Sequence, residues 1–225
     1  MIRIVIPEPS LVLLIGAAGA GKSTFAARHF GTDEVCSSDA LREVLSGNPA
    51  DQSVSRRAFA ILHRDVERRL QEGRLTVVDA TNLTEPQRRP LLRRAAAAKV
   101  PTIAIVLDLP ANIVRSRNAG RDRVVDPDVV ERHLATLRRT LDSGELHLTG
   151  LAGIIVLRSE VDVARARIER QRTPPDAIRR RPSADRAPVT HRTEDRQPGA
   201  VPDDETRTTR PNGRARTSTH TPLRR

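Results

Sequence analysis

The stretch Leu11-Val-Leu-Leu-Ile-Gly-Ala-Ala-Gly-Ala-Gly-Lys-Ser-Thr24 decides the fold of this chain. Its first five residues form an apolar run typical of a buried strand, and the remainder matches the phosphate-binding pattern G-x-x-x-x-G-K-[ST]. Its glycines permit backbone conformations in which successive N–H groups converge on phosphates. Lys22 is placed to reach the β- and γ-phosphates, and Ser23 offers a hydroxyl to Mg²⁺. We therefore predict a nucleoside triphosphate site formed by Gly16, Ala17, Ala18, Gly19, Ala20, Gly21, Lys22, Ser23 and Thr24.

Composition divides the chain into two parts. Residues 1–171 alternate apolar runs with amphipathic stretches, whereas residues 172–225 hold almost no large apolar residues but 13 Arg against 7 Asp or Glu. Such a tail cannot bury enough surface to offset its ordering entropy, so we predict that it is disordered. The net charge of +11 is consistent with binding of a polyanion such as nucleic acid. It is equally consistent with a coding bias that favours Arg over Lys.

The same inventory disfavours several classes of protein. Cys36 is the only cysteine, and the histidines show no ligand spacing, so we expect neither a disulfide framework nor a tightly bound transition metal. We interpret His63 and His133 as structural, because both lie beside the apolar stripes of long predicted helices. No signal peptide is recognisable and no apolar run is long enough to span a membrane, so we expect a cytoplasmic protein without a membrane partner.

Apolar runs separated by helical stretches predict an α/β fold, with a parallel sheet and helices on both of its faces. The predicted strands are Leu11–Ile15, Glu34–Ser37, Leu75–Asp79, Thr102–Leu107 and Gly153–Leu157, with an extra edge strand at Ile2–Ile6. Helices are predicted to begin at Gly21, Ala40, Ser53, Thr84, Asp126 and Ser159. In parallel sheets, ligands bind beyond the carboxyl ends of the strands. We therefore expect Gly16, Asp39, Asp79 and Asp108 on one rim.

Asp39 is the first candidate acidic group after the loop, at a strand-to-helix junction. A carboxylate there could accept the proton of an attacking hydroxyl in phosphoryl transfer. It could equally be the N-cap of the following helix, a position that Asp favours. Arg42 lies one turn further along the helix, where it is either a clamp for an acceptor phosphate or an exposed helix arginine.

A second polar turn, Asp79-Ala-Thr-Asn82, ends the strand that starts at Leu75. Asp79 has the position of a carboxylate that holds Mg²⁺ directly or through water, while Thr81 and Asn82 could bind the acceptor or a phosphate. The alternative is a turn stabilised by its own side chains. The segment Arg115–Arg123 is predicted to lie between two helices, where its arginines form either a mobile lid over phosphates or a solvated basic loop.

Five segments together resemble the 5′-kinase domain of the bacterial polynucleotide kinase–phosphatase repair family: residues 11–25, 35–39, 51–54, 75–82 and 117–123. The resemblance implies an adenylate-kinase-like fold and transfer of the γ-phosphate of ATP to a 5′-hydroxyl end of RNA or DNA. It makes Lys22 and Ser23 the phosphate and Mg²⁺ ligands and Asp39 the general base. It makes Arg42 a ligand of the acceptor phosphate. The lid groups on ATP that it implies are Arg117, Arg121 and Arg123.

The chain also departs from that family. Its best-known members continue into phosphatase and ligase domains, whereas here a tail follows the kinase-like part, so we expect only the kinase step. Two other functions remain open from the residues alone. One is a kinase of a small hydroxyl compound, which would use the same Asp39. The other is a nucleotide-dependent switch or binding module in which the Arg-rich tail acts on a partner.

Overall fold

The computed structural model describes residues 1–121 and 123–172. The strands are β1 Ile2–Glu8, β2 Leu11–Gly16, β3 Val35–Ser37, β4 Thr76–Asp79, β5 Thr102–Leu107, β6 Gly153–Leu157 and β7 Ala166–Arg172. The helices are α1 Lys22–His29, α2 Ser38–Ser46, α3 Ser55–Gln71, α4 Glu85–Ala97, α5 Ala111–Ala119, α6 Pro127–Asp142, α7 Glu145–Leu148 and α8 Glu160–Arg165. Apart from Arg172, the predicted tail at residues 172–225 lies outside the described residues. In the described ranges, no helix has the length and apolar character needed to cross a membrane.

Five parallel strands form the main sheet, in the order β3-β4-β2-β5-β6. The central strand β2 pairs with β4 on one side and with β5 on the other, so that Leu14 lies opposite Asp79 and Gly16 opposite Leu107. All five strands point the same way, which brings their carboxyl ends to one rim. The predicted parallel sheet is confirmed, and its central strand leads directly into the phosphate-binding loop.

The sheet is covered by helices on both faces, as predicted. Every residue of β2 is buried, and its side chains alternate between two apolar cores. Leu11 and Leu13 belong to the core formed with α3, α4 and α7, whereas Val12 and Leu14 belong to the core formed with α1 and α5. Burial on both faces explains why the strand reads as a continuous apolar run.

The predicted edge strand at Ile2–Ile6 does not join the main sheet. It extends to Glu8 as β1 and pairs in parallel with β7 in a separate two-stranded sheet. The predicted last helix is correspondingly short, because α8 ends at Arg165 and β7 follows. Ile4, Ile6 and Ala166 are buried in the same core as Phe25 of α1. That burial places the small sheet against the core on the α1 side of the main sheet.

Arg88 of α4 is fully buried and fixes the turn that follows β4. Its Nη1 donates to the carbonyl oxygens of Asn82 at 2.9 Å and Leu83 at 2.7 Å, and its Nη2 pairs with Glu145 at the start of α7. A buried guanidinium is stable only with such partners. Arg88 therefore connects the turn at the carboxyl end of β4 to α4 and α7.

Replacing Arg88 by Met is expected to lower the free energy of unfolding by about 3 kcal/mol, because the two carbonyls and Glu145 lose their partner. Urea unfolding measures this change. Arg89→Met is the matched control: its side chain is 57% exposed beside Glu85, and the expected loss is below about 0.5 kcal/mol. Equal losses in the two variants would contradict the role given to Arg88.

Candidate active site

The loop between β2 and α1 is wrapped around its own lysine. Helix α1 begins at Lys22, and Gly21 before it adopts a positive φ of 93°. The buried ammonium Nζ of Lys22 donates to the carbonyl oxygens of Gly16 at 3.0 Å and Ala17 at 2.8 Å. These bonds turn the carbonyls inward, as expected for a loop whose N–H groups are to receive an anion.

Gly19 lies where the loop meets α5. Its φ of +85° is unfavourable for a residue with a side chain, and an added Cβ would lie 2.9 Å from the Val114 carbonyl oxygen. The loop therefore approaches α5 at a distance that only glycine permits.

Three other predicted site residues lie near enough to Lys22 to affect its charge. Burial lowers the pKa of Lys22 to about 8, while Asp79 and Asp39 oppose that shift and Arg121 adds to it. The site thus holds two cationic and two anionic groups within electrostatic reach of one another. Asp108 lies on the same rim as expected, directly after β5, where it pairs with Arg158 at 2.8 Å.

Asp79 ends β4 next to the loop and is buried. Burial raises the pKa of its carboxyl, whereas the neighbouring Ser23 hydroxyl and Lys22 ammonium oppose that rise. The carboxylate of Asp79 and the exposed hydroxyl of Ser23 are hard oxygen donors on adjacent elements, which is the donor chemistry that Mg²⁺ prefers.

The rest of this turn supports the loop. The Thr81 carbonyl oxygen accepts the Gly16 N–H at 3.1 Å. Asn82 is buried with a φ of 49°, and its Nδ2 donates to the carbonyl oxygens of Leu14 at 2.8 Å and Ala80 at 3.4 Å. The amide nitrogen of Asn82 thus stabilises the junction of β2 and β4, and its contact with an acceptor or a phosphate stays a prediction.

The N-cap of α2 is Ser37, whose Oγ accepts the Ala40 N–H at 3.4 Å. The helix therefore begins at Ser38, earlier than predicted, and Asp39 lies in its first turn instead of at the cap. Its carboxylate oxygen Oδ1 accepts hydrogen bonds from Arg42 Nη2 and from Ser38 Oγ. The capping interpretation of Asp39 is thereby excluded.

Two arginines from different elements approach this carboxylate. Arg42 is buried, and its Nε donates to the Pro49 carbonyl oxygen at 2.9 Å, so its guanidinium is fixed. Arg123 comes from the segment between α5 and α6 and places Nη1 3.4 Å from Asp39 Oδ2. Asp39 is thus bound from its own helix and from the predicted lid.

The predicted lid is shorter than expected, because α5 continues to Ala119 and includes Arg115 and Arg117. Arg115 donates to Glu131, from Nε to Oε1 at 2.6 Å and from Nη2 to Oε2 at 2.9 Å. These bonds join α5 to α6 and involve no predicted site residue. Arg117 pairs with Glu160 at 2.6 Å and places its other amino group 3.5 Å from the Ala20 carbonyl oxygen of the loop. Arg117 therefore remains beside the phosphate loop, but from a helix.

Asn118 closes the remaining lid segment. It is buried, its Nδ2 donates to the Val125 carbonyl oxygen at 2.7 Å, and its Oδ1 accepts the Val125 N–H at 3.1 Å. Arg121 and Arg123 lie on the loop between these anchor points. The hydrogen bonds between Asn118 and Val125 join the two ends of this loop, and both arginines lie near the site, Arg123 beside Asp39 and Arg121 within electrostatic reach of Lys22. Position 122 lies outside the described residues.

His133 of α6 is a site residue that the sequence analysis missed. Its Nδ1 lies 3.3 Å from the backbone nitrogen of Ala18 in the phosphate loop. The interpretation of His133 as structural did not anticipate this contact with the loop. His63 lies beside Phe59 on α3, with ring centroids 6.2 Å apart.

Comparison with known proteins is consistent with this geometry. The sequence profile of a family described as an AAA domain matches residues 11–143. The chain belongs to that AAA domain family. No curated protein matches it.

Solved structures of similar fold share little sequence with this AAA domain. One, of the Pnkp1/Rnl/Hen1 RNA repair complex, is 21% identical with a TM-score of 0.51, covering 61% of this chain and 47% of that chain. Another, of AvrRxo1-ORF1:-ORF2 with ATP, is 14% identical with a TM-score of 0.52, covering 67% and 55%. The chain thus spans about half the length of these two. A sugar kinase from Janibacter sp. HTCC2649 is 19% identical with a TM-score of 0.44, covering 76% and 90%. The chain shares its fold with the first two of these structures.

Gly19→Ala is expected to lower the free energy of unfolding by about 3 kcal/mol, because the positive φ and the Val114 carbonyl both oppose a methyl group. Gly47→Ala is the matched control. Gly47 ends α2 with a φ of +70° and has no atom within 4 Å of the added Cβ. The control should lose only the free energy that a positive φ costs a residue with a side chain, about 1 kcal/mol. Losses of equal size in urea unfolding would contradict the close approach of the loop to α5.

Proposed function

We propose that this chain is an ATP- and Mg²⁺-dependent kinase that transfers the γ-phosphate of ATP to a 5′-hydroxyl end of a polynucleotide. The observation that carries the proposal is the carboxylate of Asp39, which shares the rim with Lys22 and is held between Arg42 and Arg123. A carboxylate on the acceptor side of a phosphate loop is the arrangement needed to accept a hydroxyl proton.

The donor half of the site consists of the loop and the cations around it. Loop N–H groups and Lys22 would bind the phosphates of ATP. Ser23 would ligate Mg²⁺ directly, with Asp79 next to it acting through water or directly; the ion would neutralise charge developing on the β- and γ-phosphates. The lid groups Arg117, Arg121 and Arg123 would add positive charge to the transferring phosphoryl group.

The acceptor half centres on Asp39. In the structure, the carboxylate of Asp39 pairs with two guanidinium groups, and its side chain is 47% exposed. Arg42 is fixed by Pro49, whereas Arg123 belongs to the lid segment. We infer that ATP draws Arg123 onto its phosphates and frees Asp39 to accept the hydroxyl proton. Arg42 remains to bind a phosphate of the acceptor, with Thr81 at the edge of the same rim.

A polynucleotide is the acceptor that the combined residues favour. The set Ser38-Asp39, Asp51-Gln-Ser53, Asp79–Asn82 and the lid arginines resembles the polynucleotide kinase pattern, and the fold is shared with a protein of an RNA repair complex. A kinase of a small hydroxyl compound would use the same base and lid, so the acceptor must be identified by assay.

The test is transfer of label from γ-labelled ATP to 5′-hydroxyl RNA and DNA oligonucleotides, run beside a panel of sugars and nucleosides. Label on an oligonucleotide supports the proposal. Label on a small hydroxyl compound alone would replace the polynucleotide by a metabolite. ATP binding without transfer to any acceptor would contradict the kinase proposal and favour a nucleotide-dependent switch or binding module.

Asp39→Asn is expected to lower kcat by about 10²- to 10⁴-fold, because the amide keeps the shape of the carboxylate but accepts no proton. ATP affinity should change less than about threefold, since the lost group acts on the acceptor. Steady-state kinetics and direct ATP titration separate the two quantities. Asp33→Asn, at an aspartate whose side chain is 75% exposed, is the control and should keep full activity. An active Asp39→Asn variant would refute the assignment of the base.

ATP binding above pH 8 is expected to take up a proton at Lys22. Its pKa is about 8 in the free protein, and the phosphates would favour the charged form. At pH 8.5 binding should therefore take up ~0.75 proton, and affinity should fall as the pH rises further. Calorimetry in buffers of different ionisation heat measures the uptake. Lys22→Arg stays charged in this range and should show none; equal uptake by both proteins would contradict the assignment.

A further inference from the structure

The backbone N–H of Ala18 is bonded from outside the phosphate loop. The neighbouring N–H groups of Gly16 and Ala20 donate to backbone carbonyls, those of Thr81 and Ala17 respectively. Ala18 instead donates to Nδ1 of His133 at 3.3 Å, across 115 residues of sequence. Helix α6 thus reaches the loop through a side-chain acceptor.

That hydrogen bond requires a neutral imidazole with an unprotonated Nδ1. Burial lowers the pKa of His133, and the charges of Lys22 and Arg132 lower it further. The charged groups among the described residues that shift this pKa are therefore both cations. At neutral pH the ring is neutral and carries its proton on Nε2, which matches the geometry.

The loop is held on three sides. Lys22 binds the Gly16 and Ala17 carbonyls from within, α5 packs against Gly19, and His133 binds Ala18 from α6. Ala18 lies between the residues held by Lys22 and the glycine fixed by α5. The hydrogen bond to His133 therefore restricts the backbone directly before Gly19.

We propose that His133 is a positioning residue of the phosphate loop, whose neutral imidazole accepts the Ala18 N–H and holds the following N–H groups in the direction that receives phosphate. The inference rests on the proposed binding of ATP at this loop, but not on the identity of the acceptor. It also gives α6, at the far end of the lid segment, a direct connection to the nucleotide site.

The experiment separates the acceptor atom from the volume of the ring in the full-length chain. His133→Leu fills the space without an acceptor. His133→Asn places Oδ1 as far along the side chain as Nδ1 and restores the acceptor. His63→Leu, at the structural histidine of α3, is the matched control. Affinity for MgATP is measured by calorimetry, and folding is checked by thermal melting.

We expect MgATP affinity to fall about five- to tenfold in His133→Leu, which corresponds to one lost hydrogen bond. His133→Asn should bind within about twofold of wild type, and His63→Leu should bind as wild type does. Unchanged or tighter binding by His133→Leu would overturn the proposal. Equal losses in the Leu and Asn variants would also overturn it, because the ring volume would then matter instead of the acceptor.

A second measurement keeps the inference testable where a variant fails to fold. The ¹⁵N shifts of the wild-type imidazoles at pH 7.5 report the tautomer, and the signal of His133 is the one lost in His133→Asn, or in His133→Gln where Asn is unstable. An unprotonated Nδ1 supports the contact, and a protonated Nδ1 overturns it. Wild-type protein that binds MgATP without transferring phosphate would refute the kinase proposal and leave this one standing; wild-type protein that binds no MgATP would overturn both.

Discussion

The buried positive charge of Lys22 is the interaction on which the rest of the site depends. Burial disfavours this charge and lowers its pKa to about 8, so the protein must compensate it from nearby. The carbonyls of Gly16 and Ala17 do so from the loop, Asp79 from the end of β4, and Asp39 from the first turn of α2, which follows β3. Parallel strands provide these groups together because their carboxyl ends meet at one rim. The loop is consequently organised for an anion before any nucleotide arrives.

The geometry also links the donor and acceptor halves of the proposed reaction. Arg123 binds Asp39 in the structure, yet it belongs to the segment whose neighbour Arg121 lies within reach of Lys22. Asn118 anchors the base of that segment to Val125. In the helix that follows, His133 contacts Ala18 of the phosphate loop. Arg123 could therefore exchange the Asp39 carboxylate for a phosphate of ATP while the two ends of the lid segment stay fixed. In the proposed reaction, this exchange would release one cation from the Asp39 carboxylate when ATP binds.

The main sheet and the loop could be predicted because strands buried on both faces leave continuous apolar runs, and the glycine spacing is specific. The second sheet could not be predicted. Only the first residue of β7, Ala166, is buried, so the strand shows no apolar pattern, and its partner β1 lies at the other end of the described domain. The sequence leaves Asp39 open between a base and a helix cap, whereas in the structure the cap of α2 is Ser37. The contact of His133 with Ala18 spans two distant segments and leaves no local pattern.

The most direct measurement is a crystal structure of the full chain with a non-hydrolysable ATP analogue, Mg²⁺ and a short 5′-hydroxyl oligonucleotide. The account predicts that the 5′ oxygen lies within hydrogen-bond distance of an Asp39 carboxylate oxygen, in line with the γ-phosphate, and that Arg123 has moved from Asp39 to the phosphates. A terminal hydroxyl bound away from Asp39, or Arg123 still paired with Asp39 beside bound nucleotide, would contradict it.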